Sequence, residues 1–183
     1  MTNRNFDMQV HPSGIVQVAF VVDDIRTAMP FYARQFGIGP WFLFEHFEFD
    51  WVEYRGKPAT IDLSLCLGYS GGMMFELIEQ HDLSPSVYRE TIDQRGYGFH
   101  HNAVTASAAD YDATKERYLA DGASLALEAE VAVGGRASYL DFGDRLPGMI
   151  ELIELTEKVE QLFGHIRSAN DGWLGQDPVR TLG

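Results

Sequence analysis

The chain is written in short apolar runs, each closed by glycine, proline or acidic residues, and the first spans Gly14 to Val22. Its β-branched content and shortness predict a strand buried on both faces, ended by Asp23-Asp24. A helix follows, with Met29, Tyr32 and Phe36 as its apolar stripe and Gly37 as its stop. Asp23, Asp24 and Thr27 compete to cap it. Pro30 favours Thr27, because only then does the proline fall in the first turn, where no backbone hydrogen bond is lost. Trp41 to Tyr54 mixes aromatic with acidic residues, and Thr60 to Leu67 and Met73 to Glu79 add further strands, so the first half reads β-α-β-β-β.

The same text then returns. Gly72-Met-Met-Phe-Glu-Leu-Ile-Glu79 is matched by Gly148-Met-Ile-Glu-Leu-Ile-Glu154, and the strand at Gln17 by one at His101. A helix is predicted over Asp110 to Ala120, and strands over Leu125 to Val133, Ala137 to Phe142 and Met149 to Leu155. A repeat of this kind predicts two units packed about a pseudo-twofold axis. The expected organisation is one domain over 1–183: module one at about 14–80, a partly helical linker at 81–96, module two at about 97–156, and a helical tail at 157–183. The tail, with Val159, Leu162, Phe163 and Ile166 on one side, is expected to serve packing or dimer formation.

Composition narrows the function classes. At 183 residues and 45% hydrophobic the chain can build an ordinary core, and a formal charge of −13 repels phosphate backbones, so no nucleic-acid partner is expected. No run approaches the roughly 18 apolar residues of a membrane span, and the start lacks an apolar signal core, so a cytoplasmic protein without a membrane partner is expected. The single cysteine, Cys66, sits in an apolar run with no histidine or cation beside it and reads as a core residue.

Four polar residues occupy matching places in four apolar strands: Gln17, Glu76, His101 and Glu151. A carboxylate inside such a strand is costly unless something positive meets it. The repeat brings two together, where they repel unless a proton or a cation lies between them. One divalent metal ion resolves both, with His101 and Gln17 supplying a nitrogen and an oxygen; zinc, nickel, cobalt, manganese or iron suits the set. Strand alternation sends His100 and His101 to opposite faces, and register against Gln17 selects His101.

These residues resemble the vicinal oxygen chelate superfamily, which includes glyoxalase I, methylmalonyl-CoA epimerase, extradiol dioxygenases and bleomycin-resistance proteins. The resemblance covers about Gly14 to Thr156 and rests on Val21-Val-Asp-Asp-Ile with Phe31-Tyr32, on Phe75-Glu-Leu-Ile, on Gly98-Phe-His-His and on Met149-Ile-Glu-Leu. It is closest to the epimerase and its glyoxalase-like relatives. It implies an α+β fold of two paired βαβββ modules forming a cupped mixed sheet around a central metal, with ligands at Gln17, Glu76, His101 and Glu151. Many relatives carry His at the position of Gln17; the present set is similar to that of zinc-type glyoxalase I and counts against a two-His, one-carboxylate iron site.

The implied activity is that of a metal-dependent isomerase, epimerase or lyase that removes a proton beside a polarised carbonyl to give an enolate. Glu151 is expected as the base, with Glu76 as its partner on the opposite face. The expected partner is a small-molecule substrate, ring-containing or acyl, in a pocket lined by Trp41, Tyr54 and Tyr139 with Arg55 for an acidic group; a homodimer is also expected. Two alternatives are a metal-free small-molecule binding or resistance protein and an iron-dependent ring-cleaving dioxygenase.

Overall fold

A computed structural model describes residues 14–181. Strand β1 (Gln17–Val21) leads into helix α1 (Ile25–Phe36), followed by β2 (Trp41–Phe44), β3 (Phe49–Tyr54), β4 (Lys57–Pro58), β5 (Leu63–Ser70) and β6 (Met73–Gln80). Helix α2 (Val87–Arg95) joins the halves. The second half runs β7 (Gly98–Ser107), α3 (Tyr111–Ala120), β8 (Ser124–Val131), β9 (Gly135–Asp141) and β10 (Met149–Leu155), and the chain closes with α4 (Glu157–Asn170) and β11 (Val179–Arg180).

All eleven strands form one mixed sheet, in the order β11-β2-β5-β6-β1-β7-β10-β9-β8-β3-β4. Its centre is the antiparallel pair β1 and β7. Each of these takes the last strand of its own module as a parallel neighbour, β6 beside β1 and β10 beside β7, so the sheet reads the same outward from the centre in both directions. Helix α1 packs on β5 and β6, and α3 on β7, β9 and β10, which gives each module its own helix.

The modules are not independent, however. After β2, which pairs with β5, the chain crosses to the far side of the sheet, where β3 pairs with β8. Only residues 45–48 lie between Phe44 and Phe49, a reach of about 17 Å at full extension. The sheet must therefore curl until its two sides nearly meet. This strap is fastened at both ends: the Phe47 N–H donates to Leu63 O at 2.7 Å, and the Ala132 N–H to Glu48 O at 3.4 Å. Trp41 to Tyr54 is thus two strands rather than one.

Local chemistry explains where the helices start. Asp24, not Thr27, caps α1: its Oδ1 accepts from the N–H groups of Arg26 and Thr27 at 2.9 and 3.1 Å, and Thr27 Oγ1 donates to its Oδ2. The Glu79 carboxylate accepts from the Ile25 N–H at the same end. Three satisfied donors outweigh the bond that Pro30 forfeits inside the helix. Ser86 caps α2 and Thr156 caps α4. Among the described residues no helix is long and apolar enough to cross a membrane. Cys66 is fully buried beneath α1, where burial pushes its thiol far above its ordinary pKa.

The glycine that opens the second repeat has a packing reason. A Cβ at Gly148 would stand 2.5 Å from the backbone oxygen of His100 and closer still to the Phe99 ring, so only glycine lets β10 dock on β7 at this point. Gly148→Ala is expected to destabilise the fold by about 1–3 kcal/mol in urea unfolding; an unchanged midpoint would show that β10 is free to shift.

Candidate metal centre

The four sequence-predicted residues converge on the floor of the cup, one from each central strand. Their register obeys the pseudo-twofold. Glu76, Ala19 and His101 stand side by side across β6, β1 and β7; Glu151, Ala103 and Gln17 stand side by side across β10, β7 and β1. Cross-strand partners point to one face, so each row reads acid, alanine, neutral donor. Both alanines are fully buried, and their small side chains leave the space between the polar groups clear.

Gln17 Nε2 donates to Glu76 Oε2 at 2.7 Å. His101 Nε2 lies 3.1 Å from Glu151 Oε2 and 3.4 Å from Glu76 Oε2, yet it hydrogen-bonds to neither. No side chain among the described residues donates to the Glu151 carboxylate. Burial, reinforced by the charge of Glu151 and opposed by the Gln17 hydrogen bond, raises the Glu76 pKa well above the carboxylate range.

His100 was expected on the opposite face, and the structure corrects this. Ala19 pairs with His101 and Phe20 with Phe99, so His100 is an extra residue, a bulge in β7 that interrupts the alternation. Its ring is fully buried, stacked on Tyr88 with centroids 5.0 Å apart. Its Nε2 is 3.2 Å from Val87 O, which can only accept, so that nitrogen carries the proton. Burial and the neighbouring His101 hold the ring neutral, leaving Nδ1 as an acceptor. His101 Nδ1, 2.7 Å away, must then be the donor. These proton positions follow from the partners, and with Nδ1 committed as a donor it is Nε2 of His101 that faces the two carboxylates.

Such a cluster calls for positive charge at its centre. Lone pair and carboxylate oxygens repel unless a proton or a cation sits among them, and the ligand atoms of Glu76, His101 and Glu151 all lie within 4.8 Å of one another. A rotation of the Gln17 amide adds an oxygen. One imidazole nitrogen with three oxygens fits a zinc-like divalent ion, and the carbonyl–His100–His101 chain is the outer hydrogen bonding that orients such a ligand.

Above the floor lies an apolar cavity, lined by Phe44, Phe47 and Phe49 of the strap, Leu65 and Leu67 of β5, Leu127 of β8, Ile153 of β10, and Val159, Leu162 and Phe163 of α4. Of the four pocket residues expected from sequence, only Tyr139 lines it. Trp41 is buried on the other face of the sheet, over Gly68 and under α1, where its indole N–H donates to Met29 O at 2.9 Å. Tyr54, packed against the core beside Val52, and Arg55 are engaged elsewhere: both donate to Glu90, and Arg55 also to Asp141. The lining residues that sequence reading missed are Tyr88, whose hydroxyl donates to Tyr139 Oη, the strap phenylalanines, and the α4 side chains. The one cation in the lining, Arg136, is fully engaged by Glu154 and Asp112.

Residues 16–139 match the glyoxalase/bleomycin resistance protein/dioxygenase superfamily. Among solved structures, methylmalonyl-CoA epimerase from Mycobacterium tuberculosis is 22% identical with a TM-score of 0.55, covering 81% of this chain and 91% of that one. A hypothetical protein from Bacillus halodurans C-125 is 18% identical with a TM-score of 0.55, covering 79% and 95%. A methylmalonyl-CoA epimerase variant from Streptomyces coelicolor, in complex with 2-nitronate-propionyl-CoA, is 20% identical with a TM-score of 0.51, covering 79% and 95%. At these identities the likeness is one of fold. No curated protein matches the chain.

The raised Glu76 pKa gives a signed expectation. Ionising Glu76 costs the metal-free fold stability once pH passes its unfolded value, about 4.3, and the loss grows as pH rises toward the folded value. With chelator present, Glu76→Gln should therefore unfold at a higher temperature than the parent at pH 8, and the gap should close by pH 4. A gap of equal size at both pH values would overturn this account.

Proposed function

Because the chain belongs to the glyoxalase/bleomycin resistance protein/dioxygenase superfamily, we propose that it is a metal-dependent isomerase, epimerase or lyase that moves a proton beside a carbonyl group. The observation that carries this reading is the buried, unpartnered His101 Nε2 held against two carboxylates. Gln17, Glu76, His101 and Glu151 would hold the ion. When bound, a divalent cation polarises a carbonyl and accommodates the negative charge that develops on its oxygen.

The chain's own residues do the rest. Glu151 is the base, since its carboxylate is the less tethered of the two: Glu76 is already fixed by Gln17. A carboxylate oxygen of Glu151 takes the proton from the carbon next to the carbonyl, and the electron pair left behind spreads onto the carbonyl oxygen. Delivered by Glu151 to the former carbonyl carbon, the proton completes an isomerisation; a second proton, carried on Glu76 and added to the opposite face of the first carbon while Glu151 keeps the one it took, inverts the centre. The Tyr88–Tyr139 pair and the strap phenylalanines keep water from the carbon while it is deprotonated.

The lining also speaks to the substrate. With Arg136 engaged, no described residue offers the cavity a free cation to receive a phosphate or a carboxylate. The part of the substrate that enters it is apolar and uncharged, a ring or a branched acyl body, with its polar atoms confined to the floor.

Plasma mass spectrometry on tag-free protein tests the metal. In the protein as purified, one tightly held equivalent of zinc, nickel, cobalt or manganese is expected at the floor, and His101→Ala should lose it. Exchange of the substrate C–H with deuterated water, screened over ring-bearing hydroxyketones, should fall by roughly 10²–10⁴-fold in Glu151→Gln. Iron with oxygen uptake would instead favour ring-cleaving oxygenation. A metal-free protein after reconstitution would leave a small-molecule binding cup.

A further inference from the structure

A second group of metal-type ligands lies away from the floor, at the end of the strap. Asp62 directly precedes β5 and His81 directly follows β6, and the His81 N–H donates to Asp62 O at 2.8 Å, so the two residues extend the β5–β6 ladder by one pair. His46, in the strap, comes down beside them: its Nδ1 is 2.7 Å from Asp62 Oδ1, and its ring centroid is 5.0 Å from that of His81. Ser64 ties the group together, with Oγ accepting from the His46 N–H at 3.2 Å and lying 2.8 Å from His81 Nε2. One ligand atom from each of His46, Asp62 and His81 lies within 4.8 Å of the others.

Packing does not account for these side chains. The His46 side chain is 71% exposed and buries no core. Its backbone is nevertheless held at φ 48°, in the left-handed region that a branched or bulky residue occupies only at a cost. A glycine or asparagine would turn the chain there more easily. The surroundings are acidic: Glu79 Oε1 lies 3.4 Å from His81 Nδ1, and Glu45, next to His46 in the chain, is paired with Arg26.

We propose that His46, Asp62 and His81 form a second transition-metal site, distinct from the floor of the cup, that takes zinc, nickel or copper(II). Two imidazole nitrogens and one carboxylate oxygen select these ions over magnesium or calcium. With metal–ligand bonds of about 2.0–2.2 Å, donors stand about 3.3 Å apart, a closure that exposed side chains reach by rotation. Water or Glu79 completes the coordination. The ion fastens the strap to the β5–β6 end, next to Phe47, whose N–H already holds Leu63 O. Occupancy therefore stiffens the aromatic wall of the cavity without contributing to its floor.

Equilibrium dialysis of the full-length chain against zinc, read by plasma mass spectrometry, separates the two sites. The parent should bind two equivalents, the second at micromolar strength. The double variant His46→Ala/His81→Ala should keep one, and Asp62→Asn should weaken the second roughly tenfold. Since these residues bury no core, circular dichroism should show an unchanged fold. With cobalt(II), the parent should show a visible absorption component that the double variant lacks and His101→Ala retains. A double variant that binds as much as the parent would overturn the proposal. If His101→Ala binds like the parent while the double variant loses one equivalent, the floor site fails and the strap site stands.

Discussion

Two carboxylates and an unpartnered imidazole nitrogen, gathered where water is nearly excluded, set the terms for everything around them. Their mutual repulsion cannot be relieved by solvent, so the fold must hold them in place and leave room for a positive charge. The central strands do the holding. Each of β6, β1, β7 and β10 brings one polar side chain to the same level, and Ala19 and Ala103 keep the interior of the group clear. The bulge at His100 then turns a neighbour that should have pointed away into the group that fixes the proton on His101. An isolated strand would gain nothing from any of these features. Together they prepare a site for a cation.

Much of this was legible in the sequence because a duplicated unit carries its register with it. The two Glu-Leu-Ile-Glu strings placed Glu76 and Glu151 at matching points, and strand period two put them on the inner face. The second glutamate of each string proved structural: Glu79 receives the first N–H of α1, and Glu154 grips Arg136. Local rules failed where tertiary pairing intervened. A bulge cannot be read from alternation, so His100 was sent to the wrong face. Thr27 lost the cap of α1 because Asp24, aided by Glu79 from a distant strand, satisfies more donors than Pro30 removes.

The pocket was the least legible part, for a related reason. Trp41 and Tyr54 were expected to line it together with Tyr139, but the chain leaves one side of the sheet at Phe44 and joins the other at Phe49. Trp41, before the crossing, faces α1; Tyr54 and Arg55, beyond it, face Glu90. Only the phenylalanines of the crossing line the cavity, joined by side chains of α4 that belong to neither repeat. Non-local strand pairing leaves no mark in a local pattern.

That crossing also bears on how the chain reaches its final form. The hairpins β5–β6 and β8–β9 join segments close in sequence, whereas β3 must find β8 across most of the molecule. Loop-closure entropy places the near pairings first, and β3 with β8 follows them, as does β1 with β7 at the centre of the floor, where Gln17 must find Ala103 over a separation as long as that between Phe49 and Val131. Until β3 arrives, β8 carries a bare edge, which in a crowded cell is an invitation to pair with another chain. Speed in that step is a form of protection against aggregation, and it depends on four residues.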